Sequence, residues 1–127
     1  MTPLVLLPGM MCDERLFAPQ ISELSKQREV HFVQISGHKT ISELAADVLN
    51  NAPPVFALAG LSMGGIVAME VLSQAADRVE RLALLDTNPL AELSDVAKRR
   101  GPQIDAVKND RFVTLEYVCL LYTSPSP

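Results

Sequence analysis

The sequence predicts an α/β fold: a three-layer, doubly wound and mostly parallel sheet with helices on both faces. Short β-prone apolar runs alternate with segments of helical periodicity, and the links between them are short. Such alternation favours parallel strands joined by right-handed crossovers. The first run, Leu4-Val5-Leu6-Leu7, is continuously apolar and stops at Pro8-Gly9, as a central strand covered on both sides does.

After the loop PGMMCDE, Phe17, Ile21 and Leu24 recur at helical spacing, with Lys26 and Arg28 near the carboxyl end, where they suit the helix dipole. Val30 to Ile35 reads as a second strand ended by Ser36-Gly37. Thr40 followed by Glu43 is a capping-box pattern. It opens a helix whose Ile41, Leu44, Ala45, Val48 and Leu49 share one face, until Asn50-Asn51-Ala52-Pro53-Pro54 breaks it.

Val55 to Ala59 is the third strand, Met63 to about Ala76 a helix apolar on most faces in its first turns, and Arg81 to Asp86 the fourth strand. Beyond Pro89 the pattern changes. A helix over 92–100 is expected to end at Gly101-Pro102, with another short helix from Asp105 to Glu116. Residues 1–89 are thus expected to form the sheet domain and 90–117 a separate segment. Residues 118–127, VCLLYTSPSP, continue neither period and read as a non-native or disordered tail. CLLYTSPSP is also similar to translated sequencing adapter.

The chain has 127 residues, 48% of them hydrophobic, and a formal charge of -4 with both signs interspersed. It therefore has no sustained positive footprint for nucleic-acid phosphates. Cys12 and Cys119 form neither a CxxC nor a metal-ligand cluster, and two distant cysteines are too few for a disulfide-stapled scaffold. The opening MTPLVLLPGM lacks a basic n-region, and no segment approaches the roughly 18 apolar residues of a spanning helix. A cytoplasmic protein without metal or organic cofactor is the expectation; the oligomeric state is open.

The chemistry is concentrated in Gly60-Leu61-Ser62-Met63-Gly64-Gly65. Residues 60–64 match G-x-S-x-G, with a predicted strand before and a predicted helix after. A serine on so tight a turn needs small neighbours, which Gly60, Gly64 and Gly65 supply, and the turn presents Oγ to a crevice near the positive end of the next helix. The backbone N–H of Met63 is then placed to receive an oxyanion formed by attack of Ser62 on a carbonyl. A second donor is assigned to Met10 in the loop after the first strand, with Met11 as the alternative. A plain glycine-rich turn is the competing reading. Phosphate and dinucleotide loops do not compete, because neither G-x-x-x-x-G-K-[ST] nor a complete G-x-G-x-x-G fingerprint is present.

LVLLPGMMCDERLFAPQI, FALAGLSMGGIVAMEVL and RVERLALLDT resemble the α/β-hydrolase superfamily, specifically compact esterase-like members with an LPG oxyanion loop. The resemblance covers about residues 3–89. It implies that Ser62 is the nucleophile, that Met63 and Met10 provide oxyanion N–H groups, and that the segment after Asn88 begins a lid. It also implies acyl transfer to water from a small-molecule ester or thioester.

A serine nucleophile needs a histidine base and an acid to orient it, in the chain order Ser, acid, His. Both histidines here, His31 and His38, precede Ser62. His31 reads as a sheet or surface residue, and His38 as one that touches substrate at most. Asp86, at the end of the fourth strand, is the candidate acid, with a structural carboxylate bonded to Thr87, Asn88 or nearby backbone as the preferred reading. Asp95, Asp105 and Asp110 read as solvated. The expectation is accordingly the amino-terminal part of a serine hydrolase, inactive by itself and liable to aggregate through an uncovered sheet edge. A non-catalytic protein that binds a ligand or partner through that edge is the alternative.

Overall fold

A computed structural model describes residues 1–109, in two units along the chain, Met1–Pro89 and a second that begins at Leu90. The tail at 118–127, Asp110 and the end of the helix expected up to Glu116 lie outside the described residues.

The first unit is a four-stranded sheet formed by β1 (Leu4–Leu7), β2 (Val30–Phe32), β3 (Phe56–Leu61) and β4 (Val79–Leu85), in the spatial order β2-β1-β3-β4 and parallel throughout. A 3-10 turn (Glu14–Phe17) and α1 (Ala18–Leu24) follow β1; α2 (Ile41–Asn51) follows β2, and α3 (Met63–Gln74) follows β3. Alternation along the strands divides the core into two layers. Val5, Leu7, Phe56 and Leu58 pack with Leu44, Ala45 and Val48 of α2 and Val67, Ala68 and Val71 of α3. Leu4, Leu6, Ala57 and Ala59 pack on the other face with Phe17, flanked by Ile21 and Leu24 of α1. The doubly wound, three-layer α/β architecture follows directly, with β1 and β3 buried on both faces.

The capping box forms as its spacing predicts: Thr40 Oγ1 accepts from the Glu43 N–H at 3.1 Å, and Glu43 Oε2 accepts from the Thr40 N–H at 3.1 Å and the Lys39 N–H at 3.0 Å. Those backbone donors, Lys39 first and then Thr40, hold the Glu43 carboxyl below its ordinary pKa. Beyond α2, the Arg78 guanidinium gathers the carbonyls of Leu49, Ala52, Pro53 and Pro54 at 2.8–3.1 Å and lies 5.6 Å from the centre of the Phe56 ring. One fork of five donors thereby satisfies the polypeptide that the double proline removes from the helix.

Two expectations are corrected. The second strand ends at Phe32 rather than Ile35, although Val33 and Ile35 are buried. Its partner β1 ends at Leu7 and is followed by Pro8, which has no N–H with which to extend the ladder. In the second unit, the break expected at Gly101-Pro102 is absent: one helix, α4 (Ser94–Asn109), runs through it. The fixed φ of proline is compatible with helical backbone, so α4 continues through Pro102 at the cost of one N–H bond and of crowding between the ring and the carbonyl four residues back.

Candidate functional site

β3 passes into α3 through one residue, Ser62, whose backbone lies at φ 53° and ψ -114°. An L-residue rarely adopts that conformation, which costs on the order of 1–3 kcal/mol and persists only where the surroundings enforce it. Here they do so from two sides. The Ser62 N–H donates to Leu85 O at 2.9 Å, tying it to the end of β4. The Ser62 carbonyl accepts from the Gly65 and Ile66 N–H groups at 2.9 and 3.3 Å and from Thr87 Oγ1 at 2.7 Å. The serine side chain does not cap α3.

The three glycines are required by space. A Cβ on Gly60 would lie 2.3 Å from Gly64 O, and one on Gly64 would lie 2.4 Å from Leu7 O, both of them backbone atoms that cannot step aside. A Cβ on Gly65 would meet the Thr87 side chain at 2.6 Å. The absence of those carbons is what lets α3 start against β3, with the carboxyl end of β1 on one side and the residues after β4 on the other.

The loop after β1 reaches the same place. A Cβ on Gly9 would lie 3.8 Å from the Ser62 Cβ and 3.9 Å from Leu61 O. Gly9 begins a four-residue turn closed by the Cys12 N–H to Gly9 O at 3.2 Å, with Met11 at φ 60° in the third position. A positive φ there alone is the type II pattern, which glycine ordinarily fills. Gln34 Nε2 donates to Cys12 O at 2.9 Å, and the Cys12 thiol to Met10 O at 3.5 Å. Met10, in the second position, and Met63, first residue of α3, are therefore neighbours of the serine turn. The Met63 N–H is one of the four at a helix start for which the ladder itself offers no acceptor.

The remaining sequence candidates are dispersed. His31 sits on β2 at the sheet edge, its Nε2 2.7 Å from Glu29 Oε1. His38 Nε2 lies 3.8 Å from Asp47 Oδ1 of α2. Asp86 follows β4 at φ 43°, and the hydroxyl that bridges to the serine turn belongs to its neighbour Thr87. Asp95 and Asp105 lie on α4, in the second unit. An open recess of about 360 Å³ is lined by His31, Phe32, Val33, Gln34, Asp47 and Asn51; Ser62 is not among its walls. Among the described residues, no three His, Cys, Asp or Glu side chains are grouped to hold a metal ion, and no helix is long and apolar enough to cross a membrane.

Sequence reasoning missed Thr87. Its one sequence signal is Asp86: aspartate is among the few residues that enter positive φ readily, and a strand ending in Asp-Thr-Asn is where such a reversal occurs.

The Thioesterase domain family matches residues 2–112. A pimeloyl-[acyl-carrier protein] methyl ester esterase of Aliivibrio salmonicida is 33% identical over 94 residues, covering 68% of this chain and 36% of that protein; its counterpart in Vibrio vulnificus is 26% identical, covering 98% and 54%. Among solved structures, an enol-lactonase from Burkholderia xenovorans LB400 superposes with a TM-score of 0.77 at 27% identity, over 94% of this chain and 50% of that one. A thermophilic esterase from Thermogutta terrifontis, at 21% identity, shares the fold with a TM-score of 0.76 over 98% and 54%. The chain thus spans about half or less of the length of these relatives.

Proposed function

Since the chain belongs to the Thioesterase domain family, within the α/β-hydrolase fold, we propose that Ser62 is the nucleophile of a hydrolase that acts on an acyl ester or thioester. The observation that carries this reading is the Ser62 backbone, held at φ 53° between a buried strand and a helix start by hydrogen bonds to both its N–H and its carbonyl. Strain maintained by that many contacts at one serine is the mark of a positioned group.

In this reading, Ser62 Oγ attacks the acyl carbonyl while its proton passes to a histidine base. The Met63 and Met10 N–H groups receive the oxyanion, and collapse expels the alcohol or thiol with that proton. Water then attacks the acyl-serine ester, and the acid leaves. His31 and His38 lie beside Glu29 and Asp47, so the base is assigned to a histidine of a longer protein, as the greater length of the relatives suggests. Asp86 remains the candidate acid within this chain. The segment 90–117 is read as the start of a cap.

The name of the curated relatives supports, as the substrate in this reading, an ester on a carrier-borne acyl chain. The enol-lactonase similarity favours a second substrate class, a lactone, opened by the same attack. Expression of the longer protein with Ser62→Ala tests the role: hydrolysis of both classes is expected to fall to background, and turnover retained by the variant overturns the assignment.

A further inference from the structure

We propose that Thr87 is a positioning residue for the oxyanion donor, acting through the peptide group between Ser62 and Met63; this rests on the reading of Ser62 as nucleophile. A trans peptide is planar, so the Ser62 carbonyl and the Met63 N–H point in opposite directions from one rigid plate. Whatever fixes the oxygen aims the hydrogen. Thr87 Oγ1 donates to that oxygen at 2.7 Å, the shortest of the three hydrogen bonds it accepts.

The other two bonds come from Gly65 and Ile66, residues of α3 itself, and move with the helix. Thr87 is a tie from outside the helix, in the chain just past β4, and the Leu85 carbonyl at the end of that strand also holds the Ser62 N–H. Its side chain is seated as well: Cβ, Cγ2 and Oγ1 all lie 2.6 Å from where a Cβ on Gly65 would stand, so the absent methyl of Gly65 makes its space. Asp86, at φ 43°, turns the chain between Leu85 and Thr87. Without the hydroxyl, the strained Ser62 conformation has a path to relax by rotating this plate, and rotation carries the Met63 N–H away from the oxyanion position.

The test uses the full chain and needs no histidine base. In a Cys12→Ser, Cys119→Ser background, Ser62→Cys places a thiol at the nucleophile position; its pKa reports the setting of the nucleophile, and its acylation rate by p-nitrophenyl acetate at pH 7, relative to its iodoacetamide alkylation rate, reports oxyanion stabilisation, since acylation alone passes through an oxyanion. With Thr87 intact, the thiol pKa is expected below the ordinary value of about 8.5. Thr87→Val, which keeps the shape and removes the donor, is expected to slow acylation relative to alkylation roughly three- to tenfold, as loss of one ordinary hydrogen bond does. Thr87→Ser, which keeps the hydroxyl, is expected to restore the parent ratio.

Equal ratios for Thr87→Val and the parent overturn the proposal, as does a Thr87→Ser ratio as low as that of Thr87→Val, since packing would then be what holds the turn. An ordinary thiol pKa with Thr87 intact overturns the reading of Ser62 instead. Circular dichroism checks each fold. If Thr87→Val does not fold, Thr87→Ala takes its place, and equality of its ratio with that of Thr87→Ser overturns the proposal.

Discussion

β3 and β4 are neighbours in one sheet, paired from Phe56 opposite Val79 to Leu61 opposite Leu85, yet they live in different surroundings. β3 is buried from Phe56 to Gly60; β4, with the similar run Leu82-Ala83-Leu84-Leu85, is exposed along most of its length. Apolar composition makes both of them strands, but burial depends on neighbours: β3 has β1 and β4 beside it, whereas β4 is the last strand of the described sheet. The serine turn joins the two regimes. Its glycines and helix start belong to the packed side, and Leu85 and Thr87, which hold Ser62 in place, belong to the exposed side.

Substitutions that treat the two strands alike should separate them. The largest effect is expected from Gly64→Ala, whose Cβ would meet the Leu7 and Pro8 carbonyl oxygens at 2.4 and 2.5 Å. Relief requires backbone movement, so a loss of about 3 kcal/mol or more is expected in urea unfolding, with failure to fold as the extreme. Next is a matched pair. Leu58→Ala, in a position 1% exposed, is expected to cost about 2–5 kcal/mol, and Leu82→Ala, in a position 36% exposed, below about 1 kcal/mol. Equal costs would mean that the contrast between the strands is not energetic.

A third variant probes the edge itself. Leu84 and Leu85 are 41% and 44% exposed on the last strand of the described sheet, an arrangement that invites association. Leu84→Lys is expected to lower the weight-average mass in sedimentation velocity while leaving the unfolding midpoint nearly unchanged. The smallest effect lies away from both strands, at Glu43. Its folded pKa is depressed, so the stabilisation it gives is present above the unfolded value of about 4.3 and is lost as pH falls through the lower folded value. The Tm difference between the parent and Glu43→Gln is therefore expected to shrink from pH 6 to pH 3; a constant difference would show that the carboxylate charge is not what matters.

Local chemistry explains what was legible in the sequence. Leu4 to Leu7 before Pro8-Gly9, the Thr40–Glu43 box and the spacing of Gly60, Ser62, Gly64 and Gly65 state their structures within a few residues, and each forms as its pattern requires. Composition alone carries the strand at Val30 on to Ile35, whereas its end is set by Pro8, a residue of its partner. Gly101-Pro102 is a pair that ends most helices, yet α4 continues through it. Thr87 was invisible for a third reason: its partner is a carbonyl 25 residues away, and no spacing rule links a residue past one strand to a turn after another. Asp86, the residue that the pattern singled out there, provides the reversal that sets Thr87 in place.

Covalent capture addresses the central claim most directly. This chain extended to the length of its relatives, treated with a fluorophosphonate, digested and sequenced by mass spectrometry, is expected to carry one adduct, on the peptide containing Gly60-Leu61-Ser62-Met63, and to lose it in Ser62→Ala. An adduct on another serine, or labelling that survives the substitution, would contradict the account.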